Sequence, residues 1–129
     1  MRINARTNDI LKTFIDSKTG KSIKESEARA AAIFEESTGS VIRVSGKNEA
    51  GDFIGTSGKY LNKSIDHIGG YLPDKNNMTD FLSSLSNHFK KADVVILDLK
   101  NFSDAERKTI SEYVRTNHAN DLGKLIELK

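Results

Sequence analysis

The chain has 129 residues, 36% hydrophobic and 29% charged, a length that suits one domain and a polarity short of the regime where chains cannot offset the entropy of ordering. Twenty Lys and Arg against eighteen Asp and Glu leave a formal charge of +2, so any basic surface must be local. The lack of cysteine excludes disulfides, thiolate zinc sites and a cysteine nucleophile, and no run approaches the roughly 20 apolar residues of a membrane-spanning segment.

Ile10, Leu11, Phe14 and Ile15 predict a short amphipathic helix that breaks at the turn Ser17-Lys18-Thr19-Gly20. Ser22-Ile23-Lys24-Glu25 has the form of a capping box, in which hydroxyl and carboxylate satisfy each other's unpaired backbone amides. The helix it opens is expected to run to about Ser37, burying Ala30, Ile33 and Phe34, with Gly39 as its stop. Val41–Val44, Asp52–Gly55 and Ser64–Ile68 are strand-like and separated by glycine turns, which predicts a meander of hairpins.

Beyond Pro73 the period becomes helical, with Met78, Phe81, Leu82, Leu85 and Phe89 on one stripe. Val94 to Leu99 is a continuous, β-branched-rich apolar run, the form of a central strand covered on both faces. A second capping box, Ser103 to Glu106, opens a helix with Ile110, Tyr113 and Val114 inward, and Leu125–Leu128 closes the chain as a strand. The order ααβββαβαβ predicts an α+β domain, a mixed or antiparallel central sheet with flanking helices, in which residues 1–21 are a helical extension and 22–129 the core.

The residue types of a hydrolytic site concentrate between Gly51 and Gly70. The Thr56-Ser57-Gly58 turn can point amides and hydroxyls at a phosphate, with Lys59 and Lys63 beside it. A P-loop is excluded, because Phe53 stands where its first glycine belongs and Tyr60 follows the lysine. His67 can exchange a proton near neutral pH with a ribose 2′-hydroxyl or a leaving 5′-oxygen. Strand alternation sends Ser64, Asp66 and Ile68 to one face and Ile65 and His67 to the other, unless the strand bends at Gly69-Gly70. His88 and His118 are expected to be structural or surface residues. Asp93 is expected to border its strand, and Asp98, inside an apolar run, must find a partner or the sheet edge.

Gly51-Asp52-Phe53-Ile54, Ser57-Gly58-Lys59, Ile65-Asp66 and Val94 to Leu99, in this order among helices and strands, resemble the C-terminal nuclease domains of contact-dependent growth inhibition systems and related polymorphic bacterial toxins. The likeness covers roughly residues 25–129. It implies one of two cores. A restriction-endonuclease-like core has the order α-β-β-β-α-β and holds a divalent metal on an Asp and an Asp/Glu-x-Lys; Asp52 and Asp66 fall on the appropriate strands, but Ile68 occupies the lysine position and leaves the motif incomplete. A barnase-like core cleaves RNA without metal around a bent antiparallel sheet, with His67, Lys63 and Thr56 able to fill the roles by chemistry.

The broken lysine motif and the histidine favour RNA cleavage without cofactor that leaves a 2′,3′-cyclic phosphate, and the resemblance implies that the RNA is tRNA, which makes the chain a tRNA endoribonuclease. His67, Asp66, Asp52 and Lys63 are its catalytic candidates, and Thr56, Ser57, Lys59 and Ser64 its substrate contacts. The resemblance further implies delivery within a larger effector, action in the target-cell cytoplasm, a cognate immunity protein that plugs the site, and elongation factor Tu as a host co-factor. A metal-dependent DNA nuclease toxin and a non-catalytic immunity or binding module are the alternatives.

Overall fold

The computed structural model describes residues 2–69 and 77–128; Gly70 and Pro73, used above to delimit elements, lie outside the described residues. Helix α1 (Arg2–Thr13) is followed by α2 (Glu25–Thr38), the hairpin strands β1 (Ile42–Val44), β2 (Phe53–Gly55) and β3 (Ser64–Gly69), then α3 (Met78–Lys91), β4 (Val94–Asp98), α4 (Asp104–Asn117) and β5 (Leu125–Leu128). This is the expected order. Single 3-10 stretches occupy Gly58–Tyr60 and Ala119–Lys124.

Among the described residues the strands form one sheet in the order β1-β2-β3-β4-β5, antiparallel from β1 to β3 and parallel from β3 to β5. The sheet is therefore mixed. The run α2-β1-β2-β3-α3-β4, with β4 parallel to β3, follows the order of the restriction-endonuclease-like core and not a wholly antiparallel sheet.

Strand alternation divides the core in two. On one face Ile65 and Ile96 meet Ile10 of α1 and Ala28, Ala31 and Phe34 of α2. The alanines of α2 let its backbone lie close to both α1 and the sheet. On the other face Ile68, Val95 and Leu97 meet Phe81, Leu85 and Phe89 of α3 and Ile110 and Val114 of α4. All five residues of β4 are buried, as a strand covered by helices on both faces must be.

Caps divide the local predictions. Ser103 and Glu106 form the reciprocal capping box at α4, and Gly39 closes α2 with its amide on the Glu35 carbonyl. Ser22 does not cap α2. Its backbone pairs with Ile15, closing the turn in which the Asp16 amide donates to the Lys21 carbonyl, so the helix starts at Glu25 after an uncapped Lys24. That two-residue delay puts Glu27 in the first turn of α2, at the end of the helix that faces the sheet's open cleft.

Candidate active site

A cleft of about 320 Å³ opens where the N-terminus of α2 and the middle of α3 flank the end of β3. Lys24, Ser26 and Glu27 line it from α2, Asp52 from the residue before β2, His67 to Gly69 from β3, and Ser84 and His88 from α3. A larger hollow of about 420 Å³ between α1 and α2 carries no comparable chemistry, because its charges are already matched by Arg6–Glu35 and Arg2–Glu36 pairs.

Asp52 is held from three sides. Its amide donates to the Ile65 carbonyl at 2.9 Å, and its Oδ2 accepts the His67 amide at 3.0 Å. The preceding Gly51 has φ +77°, and a Cβ there would stand 2.9 Å from the Ile65 oxygen. Only glycine allows the backbone this close to β3 in that conformation. Gly69 plays the same part at the other end of the strand, with φ +100° and a Cβ position 2.2 Å from the Asp98 oxygen.

Asp66 and His67 face opposite sides of the sheet, as alternation predicts. Asp66 points toward α3, with its Oδ2 3.8 Å from His88 Nε2 and 3.9 Å from Lys91 Nζ. His67 points toward α2, its imidazole 4% exposed and Nε2 3.5 Å from Asp98 Oδ2. Among the described residues, the buried side-chain polar atoms with no hydrogen bond are Asp66 Oδ2 and His67 Nε2. Folded proteins satisfy nearly all such atoms, and these two, on adjacent residues of β3 that face opposite sides of the sheet, have charged or ionisable neighbours in place of hydrogen bonds.

The carboxylates feel one another. Burial, and then the charge of Asp52, pushes Glu27 above the usual carboxylate range, against His67 and Lys24. Burial and Asp52 likewise raise Asp66, against His88 and Lys91. Burial also acts to raise Asp98, but the His67 imidazole and the Lys100 amide outweigh it and hold Asp98 below its ordinary value. Two carboxyls on opposite sides of Asp52 are thus biased toward the protonated form, while Asp98 stays ionised beneath His67.

His88, expected to be a structural or surface residue, lines the cleft. Its Nδ1 lies 2.7 Å from the Ser84 carbonyl, which can only accept, so Nδ1 carries a hydrogen and Nε2 is the atom presented to Asp66. Glu27 also escaped the sequence reading; the helical offset of Glu27 from Ala30, Ala31 and Phe34 was its sole signal.

The other sequence candidates lie elsewhere. Thr56 gives its amide and hydroxyl to the Val41 carbonyl, and Ser57 Oγ accepts the Val41 amide, so both clamp the start of β1. Ser64 and Asp93 exchange hydrogen bonds that lock β3 to the start of β4. Lys59 lies over the Tyr60 ring, and exposed Lys63 precedes β3, about 13 Å along the strand from His67. His118 bonds Ser86 and Asp121 on the far side of α3, a junction of α3, α4 and the last 3-10 stretch. No group of three or more acidic or histidine side chains among the described residues is arranged as a metal site.

No curated protein sequence matches the chain significantly. Among solved structures, a CdiA-CT toxin from Burkholderia pseudomallei E479, in complex with its cognate CdiI immunity protein, superimposes with a TM-score of 0.69 at 26% identity, over 81% of this chain and 98% of that one. The family described as the CdiA C-terminal tRNase domain matches residues 25–128, everything from the first residue of α2 to the last of β5. The resemblance to nuclease toxin domains is borne out: the chain belongs to the CdiA C-terminal tRNase domain family and is an endoribonuclease that acts on tRNA.

Proposed function

We propose that tRNA is cut in the cleft between α2 and α3 by proton transfer through Asp52 and the Asp66–His88 pair. The observation that carries this reading is that His88 lines one cleft with Asp52 and Glu27 while its Nε2 lies 3.8 Å from the buried Asp66 Oδ2, which has no hydrogen bond. Asp52 Oδ2 is occupied by the His67 amide, which leaves Oδ1 to take the proton of a ribose 2′-hydroxyl. That oxygen then attacks phosphorus, the bond to the 5′-oxygen breaks, and His88, entering the step as the imidazolium beside Asp66, gives its Nε2 proton to the leaving oxygen while Asp52 retains the proton of the 2′-hydroxyl. The products are a 2′,3′-cyclic phosphate and a 5′-hydroxyl.

Lys24, which lines the cleft, and Lys91, 3.9 Å from Asp66, offset phosphate charge, and buried His67 orients Asp52 through its backbone and Asp98 through its ring. Exposed Lys59 and Lys63 contact the tRNA backbone away from the reacting bond. DNA lacks the attacking hydroxyl and is spared.

The scheme uses no cofactor. A second reading is favoured by one observation: Asp52 raises both Glu27 and Asp66, and like charges crowded around an unpartnered carboxylate oxygen suit a divalent cation. Asp52 and Glu27, which both line the cleft, would hold it, and it would offset the phosphate charge. Cleavage that stops in EDTA and returns with Mg²⁺ selects this second reading; cleavage indifferent to both selects the first.

The decisive experiment follows tRNA cleavage by the purified chain. His88→Ala and Asp52→Asn are each expected to lower kcat by roughly 10²–10⁴-fold, the usual worth of a positioned acid or base. Wild-type rates in both would overturn the site. Delivery within a larger effector, action in the target-cell cytoplasm and neutralisation by an immunity protein seated on the cleft complete the proposal. Elongation factor Tu is included as a host co-factor, checked by comparing rates with and without it.

A further inference from the structure

We infer that Lys18, in the turn after α1, is a positioning residue for Asp52, so that the N-terminal arm outside the family-matched residues is part of the working site. The inference rests on the reading of Asp52 as the reactive carboxylate.

The Gly51 carbonyl accepts Lys18 Nζ at 2.9 Å and Ser45 Oγ at 2.6 Å. A peptide unit is planar, so fixing the Gly51 oxygen also fixes the Asp52 amide in the same plane, which points at the Ile65 carbonyl. The Asp52 carbonyl accepts the Ser45 amide at 3.1 Å, so the peptides on both sides of the Asp52 Cα are hydrogen-bonded, and the Asp52 carboxylate accepts the His67 amide. Gly51 at φ +77° has no side chain that could help, so the carbonyl is the handle on this peptide.

The arm that supplies the handle is itself anchored. Ile10 is fully buried, the Phe14 ring packs on Phe53 of β2, and Ser17 Oγ donates to the Ser45 carbonyl, tying the turn to the second donor of the same pair. Within the turn the Lys18 amide donates to Asp16 Oδ1. Residues 16 to 18 are thus fixed to the strand-edge loop that precedes Asp52, although the family match begins only at residue 25.

The competing account makes Lys18 a phosphate contact. The two separate in steady-state kinetics on tRNA with the intact chain. Lys18→Met is expected to lower kcat by about tenfold, within the range that small misplacements of a catalytic group cost, with KM unchanged. Lys18→Arg is expected to restore most of it, and Ser45→Ala to lower kcat in the same direction. A rise in KM at wild-type kcat would identify a phosphate contact and overturn the inference. So would wild-type kcat with only a lower Tm, since a merely structural role predicts that. If Lys18→Met does not fold, Lys18→Arg and Ser45→Ala decide by the same kcat and KM criteria. Asp52→Asn separates the two levels: if it is inactive while Lys18→Met matches wild type, this inference alone fails, whereas a fully active Asp52→Asn removes the reading beneath it.

Discussion

Asp66→Asn is expected to make the protein more stable and less active at once. Asp66 is 2% exposed, and its Oδ2 has no hydrogen bond. An unsatisfied buried acceptor costs on the order of 1–3 kcal/mol, more when charged. Against this stand His88 at 3.8 Å and Lys91 at 3.9 Å; the Lys91 side chain is 58% exposed, and such a pair contributes at most about 1 kcal/mol. The neutral amide keeps the shape and removes the charge, for a net gain of about 1 kcal/mol, or roughly 4 °C in Tm for a chain of this size.

The pH dependence follows from the direction of the shift. Burial and Asp52 raise the folded-state pKa of Asp66 above 3.8. As pH rises from 3.8 the unfolded chain releases this proton first, so the wild type loses stability through the interval up to the folded value. The advantage of Asn is therefore full above that interval and vanishes below 3.8. Thermal unfolding followed by circular dichroism across acid and neutral pH, beside a tRNA cleavage assay, tests both halves. A lower Tm for Asp66→Asn at neutral pH, or a difference that does not shrink in acid, would refute the reasoning.

Asp98→Asn should do the opposite, costing about 1–3 kcal/mol in urea unfolding at neutral pH, because this buried carboxylate is matched to His67 and the Lys100 amide. Its folded pKa lies below 3.8, so its contribution is present above 3.8 and is lost as pH falls through the folded value; a neutral-pH cost that persists in strong acid would contradict this. Ser103→Ala removes one half of the α4 capping box and is expected to cost about 1 kcal/mol with kcat unchanged, checked by the same unfolding and cleavage assays.

Local signals were legible where a few neighbouring residues carry the whole cause. The stripe from Met78 to Phe89 is a helix, the apolar run at Val94 is a strand buried on both faces, and Ser103 and Glu106 cap one another, since each pattern depends on contacts within a turn or on simple alternation. Alternation also placed Asp66 and His67 on opposite faces. The same locality misled at Ser22, whose capping potential yielded to a backbone pairing with Ile15. The sequence by itself determined the order of elements, which residues of β3 share a face, and Asp52 and Asp66 as candidates. Only the tertiary structure decided what meets them. Glu27 arrives because α2 starts late, and His88 because α3 crosses over to carry the chain from β3 to a parallel β4. Neither approach is encoded in spacing along the chain, because both depend on how helices pack across the sheet.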